Sequence, residues 1–311
     1  MGWNAGRLVA EHFAVVKSGL RFALATAHIT HAVIGDGGVG FAGKIAHSCG
    51  LPLWTPSLPK SYKKKKSPSI RQEQNDRPKV VYFPSCINQT MGVEKKSPYQ
   101  TPLVDSMEGL LQKAGYEVIY PVGMEKMCCG TIWESKGMPD IADRKTQELE
   151  RALWIASHGG RYPVLCDQSP CLYRMRQKIT MIKLYEPVEF IETFLVSRLQ
   201  FHRVDTPVAI HTTCTMTKMK LAPLLLRLAR RCSSQVLVPQ EVGCCGFAGD
   251  RGFSYPEINS YALRKLRPQL EATQIKTGYS NSRTCEIGLS TNGKIPYVSI
   301  VYLVDACTTP M

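Results

Sequence analysis

Two Cys-Cys-Gly tripeptides stand in matched surroundings in this chain: Cys128-Cys129-Gly130 and Cys244-Cys245-Gly246. Each follows a lone cysteine in a strand-like context, Cys86 in VVYFPSC and Cys214 in VAIHTTC. Each precedes further thiols, Cys166 and Cys171 in VLCDQSPC and Cys285 in SNSRTC. The steps are alike: 42 positions from Cys86 to Cys128 and 30 from Cys214 to Cys244, then 37 from Cys129 to Cys166 and 40 from Cys245 to Cys285. Soft, ordered thiols without matching histidines point to iron–sulfur ligation. Adjacent cysteines are awkward as two ligands of one iron. They serve more easily as ligands to two irons, which hints at a cluster of unusual shape. The glycine after each pair allows close backbone approach and a positive φ.

The first half therefore offers Cys86, Cys128, Cys129, Cys166 and Cys171, and the second Cys214, Cys244, Cys245 and Cys285. Cys49, Cys232 and Cys307 fall outside the scheme and read as small buried hydrophobes. Structural zinc is the rival use of the nine thiols. Against it, paired C-x₂-C knuckles are missing and the loops spread through a whole domain. His211 reads as a histidine satisfied at a strand end, with hydrogen bonding to a cluster as the sharper alternative. Glu125 and Lys126, and Asp250 and Arg251, are expected to form salt bridges near the two sites. No G-x-S-x-G, H-E-x-x-H or dinucleotide fingerprint follows a strand.

The elements that must position these thiols alternate. KVVYF, YEVIYPV and YPVLC read as strands, the second running straight into Met127 and Cys128. Thr101 reads as the N-cap and Pro102 as the first residue of a helix with Leu103, Met107, Leu110, Leu111 and Ala114 on one face, ended by Gly115. Further helices are expected from Asp140 to about His158 and in EPVEFIETFLVSRL. The second half repeats the order: PVAIH, a helix in LAPLLLRLARRC, QVLVP, a helix in PEINSYALRKL, and TGYSNS. IPYVSIVYLVDAC would read as a strand by composition but matches EPVEFIETFLVS in the repeat, so a helix is expected. Alternation implies an α/β fold with parallel sheets, and ligands gather at the carboxyl ends of such strands. The expected divisions are a helical N-terminal arm over 1–54, a basic Pro-rich linker over 55–78, a first half-domain over 79–203 and a second over 204–311. The glycine-rich stretch at 35–43 follows a helical pattern and is a poor phosphate cradle. In the arm Phe13, Val16, Leu20, Leu24 and Ala27 recur at helical spacing, interrupted by Glu11, Lys17 and Arg21. The arm is expected to pack on the main body; an interfacial helix is the alternative.

Composition sets the class. The 311 residues are 44% hydrophobic and 21% charged, an ordinary globular balance. The start MGWNAGRLVAEHFAV interrupts its apolar run with Glu11, unlike a secretory signal. The twelve cysteines are then expected to stay reduced in the cytoplasm. Of the net charge of +14, much sits in Lys60, Lys63, Lys64, Lys65, Lys66 and Arg71. This run reads as a solvated linker, with weak attraction to anionic lipid as the alternative. It lacks the interleaved aromatics of a nucleic-acid site, so no nucleic-acid partner is expected.

The paired motif resembles the cysteine-rich CCG domain. That domain occurs twice in one of the subunits of heterodisulfide reductase and in iron–sulfur subunits of glycolate and anaerobic glycerol-3-phosphate dehydrogenases. VYFPSCINQTMG, GYEVIYPVGMEKMCCG, YPVLCDQSPCLYRMR, KLYEPVEFI, EVGCCGFAGDRGF and GYSNSRTCEIGL look more like the C-terminal part of FAD-linked D-lactate dehydrogenases of the quinone or cytochrome type. So does LPLWTPSLP in the arm. The resemblance implies two CCG half-domains holding iron–sulfur clusters, [4Fe-4S] in type, with all nine thiols as the ligand set. It implies electrons arriving from FAD on a flavin-containing partner chain and leaving to quinone or cytochrome, peripheral to the inner membrane. Family members carry an upstream flavin domain, so this chain is expected not to oxidise lactate alone. A disulfide-reductase-type catalytic cluster is a further alternative. The family motif usually ends in C-x-x-C; here the first half has C-x₄-C, and in the second Ser282 takes the earlier position. The second site is therefore expected to be one thiol short.

Overall fold

The structure, a computed structural model, describes residues 2–48, 53–64 and 77–311. Cys49 and the basic residues Lys65, Lys66 and Arg71 lie outside the described residues. The arm is helical, as its periodicity predicts: α1 spans Trp3–Glu11 and α2 spans Phe13–Ser48, broken by a non-helical Gly35 (φ 68°, ψ −177°). Ala10, Phe13, Lys17 and Leu24 face the body, while Val15, Phe22, Ile29 and Val33 are exposed. Residues 53–64, read from sequence as the arm's end and part of a linker, run along the body. There Tyr62 Oη donates to Asp105 Oδ1 at 2.7 Å and Lys64 pairs with Asp105 and Glu108.

The first sheet is built from β1 (Lys79–Phe83), β2 (Glu117–Ile119), β3 (Val164–Cys166) and β4 (Leu184–Tyr185), in the order β2-β1-β3-β4. All its pairings are parallel. Between the strands run α3 (Leu103–Lys113), α4 (Thr131–Glu134), α5 (Pro139–Ala156) and α6 (Ser169–Lys178), and α7 (Pro187–Phe190) follows β4. A strand β5 (Leu199–Phe201) leads to the second sheet. That sheet holds β6 (Val208–Ile210), β7 (Val236–Leu237), β8 (Gly278–Ser280) and β9 (Tyr297–Ser299), in the order β7-β6-β8-β9, again all parallel. Its helices are α8 (Cys214–Lys218), α9 (Ala222–Cys232), α10 (Pro256–Ala262), α11 (Leu266–Ala272), α12 (Arg283–Gly293) and α13 (Ile300–Ala306). The closing β10 (Thr308–Pro310) returns to pair antiparallel with β5.

The same strand order in both halves confirms the expected repeat of two α/β halves with parallel sheets. The run of apolar residues in KVVYF makes sense once both faces are seen. Val80 and Tyr82 enter a core shared by the two halves, with Leu110 of α3, Leu225 of α9 and Val301 of α13. Val81 and Phe83 enter a second core under α5 and α6. A strand buried on both sides has no polar face to show. The second sheet has its own outer core under α11 and α12.

Several elements differ from the sequence reading. YEVIYPV does not run straight into the first Cys-Cys pair: a turn of 3₁₀ helix at Met124–Lys126 intervenes. Pro102, not Thr101, occupies the N-cap of α3, in extended conformation. IPYVSIVYLVDAC splits into β9 and α13, with Ser299 capping the helix through Val301 N–H at 3.3 Å. The helix expected across PEINSYALRKL stops at Ala262, and a separate helix starts at Leu266. Cys232 and Cys307 are buried, as expected.

Where the halves meet, the starts of α6 and α12 face each other. Gln168 Nε2 donates to Ser282 Oγ at 3.1 Å, and Arg283 N–H donates to Gln168 Oε1 at 3.0 Å. Glu186 lies in this seam, accepting from Ser169 Oγ at 3.1 Å, from Val188 N–H at 2.6 Å and from Asn281 Nδ2 at 2.5 Å. Burial nevertheless pushes its carboxyl up from 4.5 to about 7, and Glu94 and Glu286 are raised likewise. The folded chain therefore holds protons there that the unfolded chain has released, so stability falls as pH rises from about 4.5 to about 7. Glu186→Gln is expected to flatten part of that fall. Denaturant titrations across this range check it; an unchanged pH slope contradicts it.

Candidate metal centre

The switch in strand order, between β1 and β3 in one half and β6 and β8 in the other, sets where the loops converge. In the first half Cys86 lies in the turn after β1, fixed by Gln89 N–H to Ser85 O at 2.9 Å and Thr90 Oγ1 to Cys86 O at 3.1 Å. The Cys128-Cys129-Gly130 loop follows β2. Cys171 is the third residue of α6. In the second half Cys214 opens α8, the Cys244-Cys245-Gly246 loop follows β7, and Cys285 is the third residue of α12. Helix starts present free N–H groups and partial positive charge, which favour thiolates.

The thiols touch in series. Cys128 is in hydrogen-bond contact with Cys86 and Cys129, and Cys129 with Cys171. Cys244 likewise contacts Cys214 and Cys245, and Cys245 Sγ donates to Cys285 Sγ at 2.9 Å. Each half thus strings four thiols, 86–128–129–171 and 214–244–245–285. Within each string one sulfur is favoured as thiolate. Cys129 is held well below the usual thiol value by hydrogen bonds from Cys128 and Cys171, and it lies 3.2 Å from Thr131 Oγ1. Cys244 is lowered by Cys214 and Cys245, with Gly246 N–H donating to it at 3.4 Å. Their neighbours Cys128, Cys214 and Cys245 are raised, first by those same hydrogen bonds and then by burial.

Cys166 stands apart. It ends β3 in the same apolar core as Cys128 and Cys129, but among the described residues no hydrogen bond joins it to another thiol. Burial and the neighbouring Asp167 push its thiol well up. Strand register shows what replaces it in the other half. Val81 faces Val164 in the first sheet as Ala209 faces Gly278 in the second, so Ser280, ending β8, takes the place of Cys166. Ser282 corresponds to Gln168, the residue before each helix start. The serine that stands in for a thiol is thus two residues earlier than the sequence reading placed it. His211 follows β6 directly, its Nδ1 3.3 Å from Ser280 Oγ. Its Nε2 is buried and has no hydrogen-bond partner among the described residues, so it is not the satisfied histidine expected. Burial lowers its basicity to about 4.

Residues outside the cysteine pattern hold the loops. Cys129 O accepts from Thr146 Oγ1 at 2.8 Å and from the buried Arg174 Nε at 2.9 Å. In the second half Asn259 Nδ2 does this for Cys245 O. Asp250 pairs across the halves with Lys136 at 2.7 Å, not with Arg251. Glu125 and Lys126 form no side-chain ion pair among the described residues; Lys126 instead offers its carbonyl to Lys145 Nζ at 3.1 Å. No motif marks Thr146, Arg174 or Asn259 in the sequence.

The two sites differ in cover. The arm closes over the first: Trp133 Nε1 donates to Gly6 O at 3.0 Å, the Phe13 ring lies tilted against Trp133 with centroids 5.4 Å apart, and Cys128 and Cys129 are buried. In the second, Cys214 and Cys244 are exposed. Among the described residues no three His, Cys, Asp or Glu side chains are arranged for a single metal ion. The donor set fits a polynuclear cluster: soft thiols in series, some already favoured as thiolates, beneath helix starts.

Comparison with known proteins agrees with this donor set. The profile of the cysteine-rich domain CCG matches residues 80–176 and 208–290. Lactate utilization protein A of Anoxybacillus flavithermus is 24% identical over 199 residues, covering 60% of this chain and 82% of that protein. The protein of the same name from Macrococcus caseolyticus is 26% identical over 176 residues, covering 50% and 71%. Among solved structures, a putative Asp/Glu racemase from Yersinia pestis (TM-score 0.31, 10% identity, 73% of this chain and 96% of that one) and the aspartate racemase of Picrophilus torridus (0.33, 9%, 74% and 90%) overlap too loosely to bear on fold or activity. With both halves matched and both thiol strings in place, the chain belongs to the CCG cysteine-rich domain family.

Proposed function

We propose that the chain is an iron–sulfur electron-transfer module serving lactate oxidation. It would take electrons from a reduced FAD on a partner chain and pass them to quinone or cytochrome. The carrying observation is the pair of four-thiol strings at corresponding strand ends in a CCG protein. Similarity to two lactate utilization proteins A supports the substrate class. The motif resemblance to FAD-linked D-lactate dehydrogenases supports the flavin route.

Bound at these sites, a cluster of the [4Fe-4S] type would supply one-electron transfer. The chain's own residues do the rest. Cys86, Cys128, Cys129 and Cys171 would hold the first cluster, with Cys166 beside it, and Cys214, Cys244, Cys245 and Cys285 the second. Thr146 and Arg174 fix the first Cys-Cys loop through Cys129 O. The burial of Cys128 and Cys129 excludes water from the first site, while exposed Cys214 and Cys244 leave the second near the surface, where a partner can exchange electrons. Among the described residues no helix is long and apolar enough to cross a membrane. We infer that the chain works on the cytoplasmic side of the inner membrane, peripheral to it, where a quinone is reached; the exposed Val15, Phe22, Ile29 and Val33 of α2 are consistent with this.

Oxidation of a 2-hydroxy acid removes a proton and a hydride, the hydride carrying both electrons; flavin accepts a hydride and thiol-held iron does not. Lactate-dependent dye reduction is therefore expected to be absent with this chain alone. A cognate flavoprotein should reduce quinone faster when the chain is added. Lactate oxidation by flavin-free chain, or no gain on addition, contradicts the relay.

A further inference from the structure

The arm brings a charge to the first site that forms no ion pair with a carboxylate among the described residues. Lys17 is 3% exposed. Its Nζ donates to Gln89 Oε1 at 2.6 Å and lies 5.6 Å from the centre of the Phe13 ring. Among the described residues it forms no ion pair with a carboxylate. Gln89 belongs to the turn that carries Cys86: its N–H donates to Ser85 O at 2.9 Å and its Nε2 to Pro84 O at 2.6 Å. Arg21, one turn further along α2, reaches Gln89 O at 3.4 Å. Ala10 and Phe13 share an apolar core with Cys128 and Cys129, against which Cys86 and Cys171 pack. The ammonium is thus buried against the turn that carries Cys86, from the arm side.

Burying an ammonium without an anionic partner is costly. Burial lowers the Lys17 ammonium to about 8, and the main attractions opposing this come from Cys86 and then Cys128, with Glu125 weakest. A cluster held by four thiolates is net anionic, and more so when reduced. A fixed positive charge beside it favours the reduced form and raises its potential. The second site has exposed Cys214 and Cys244, and water there screens such effects.

We propose that Lys17 is the built-in countercharge of the cluster at the first site and raises its potential, making the arm part of the redox centre. Lys17 is a positioning residue in this role: it acts on the cluster through its charge and ligates nothing. The inference rests on the iron–sulfur reading above.

The test is an EPR-monitored redox titration of the full chain, purified and reconstituted without oxygen, as wild type, Lys17→Met and Lys17→Arg. The second site serves as internal reference. Lys17→Met is expected to lower the reduced-to-oxidised ratio of the first cluster at fixed potential about tenfold, about 59 mV for one electron. Lys17→Arg keeps the charge and is expected to keep the wild-type value, and the second site should not move in either variant. Loss of first-site iron in Lys17→Met but not in Lys17→Arg supports the same role through affinity. An iron-loaded Lys17→Met with unshifted potential overturns it, as does equal change in both variants. Wild-type protein without iron instead fails the iron–sulfur reading, and the countercharge falls with it.

Discussion

Cys129→Ser is expected to empty the first site and to remove more iron from the protein than Cys245→Ser does. Cys129 sits in the middle of its string, touching Cys128 and Cys171, and it is the sulfur most favoured as thiolate there. Serine is a poor ligand for a soft cluster and breaks the series at its centre. The first site is also the better protected, with Cys128 and Cys129 buried beneath the arm. Cys245 links Cys244 to Cys285 in the same way, but its site lies open at Cys214 and Cys244 and has Ser280 where the first has Cys166. Less iron should be held there to begin with, so less is lost. Iron assays on both variants, prepared side by side without oxygen, decide the matter. Equal losses would contradict the asymmetry.

Gly130→Ala is expected to cost about 2–6 kcal/mol of stability, the sum of backbone strain and overpacking. Gly130 has φ +91°, which side chains rarely adopt. A Cβ there would run into the Ala142 carbonyl and come within 2.9 Å of Arg174 Nε. Both atoms belong to the framework of the first site: Ala142 lies in α5, and Arg174 holds Cys129 O. Neither can retreat without moving the Cys-Cys loop, so iron content should fall along with stability. Gly137→Ala separates the two causes. Gly137 has φ +76° but nothing within 4 Å of a Cβ, so it carries the strain alone, roughly 1–2 kcal/mol. Urea unfolding of the two variants checks this. Similar losses at both positions would show that the close approach at Gly130 is unimportant.

Repetition and hydrophobic runs carried the fold in the sequence. KVVYF reads as a doubly buried strand because four of its five residues have to be apolar on both faces, and they are. The placement of thiols after strands follows from how parallel sheets arrange their loops, so both sites were legible as sites. The helices bearing Cys171 and Cys285 were not. SPCLYRMRQK buries the charged Arg174, and RTCEIGLSTNG is buried on nearly every side. Neither shows the apolar stripe that identifies a helix from sequence. That hidden register also misplaced the serine substituting for Cys166: counting from Cys285 reaches Ser282, whereas strand pairing reaches Ser280. Lys17 read only as a charge interrupting an apolar helix face. Its burial depends on the turn around Gln89, 72 residues away, and no local pattern announces such a contact.

The central claim is that the two thiol strings hold iron–sulfur clusters. Iron, zinc and acid-labile sulfide measured on the full chain, purified without oxygen, test it most directly. The expected result is iron and sulfide in comparable amounts, little zinc, and loss of both iron and sulfide in a variant lacking Cys128, Cys129, Cys244 and Cys245. Zinc in stoichiometric amount without sulfide would contradict it.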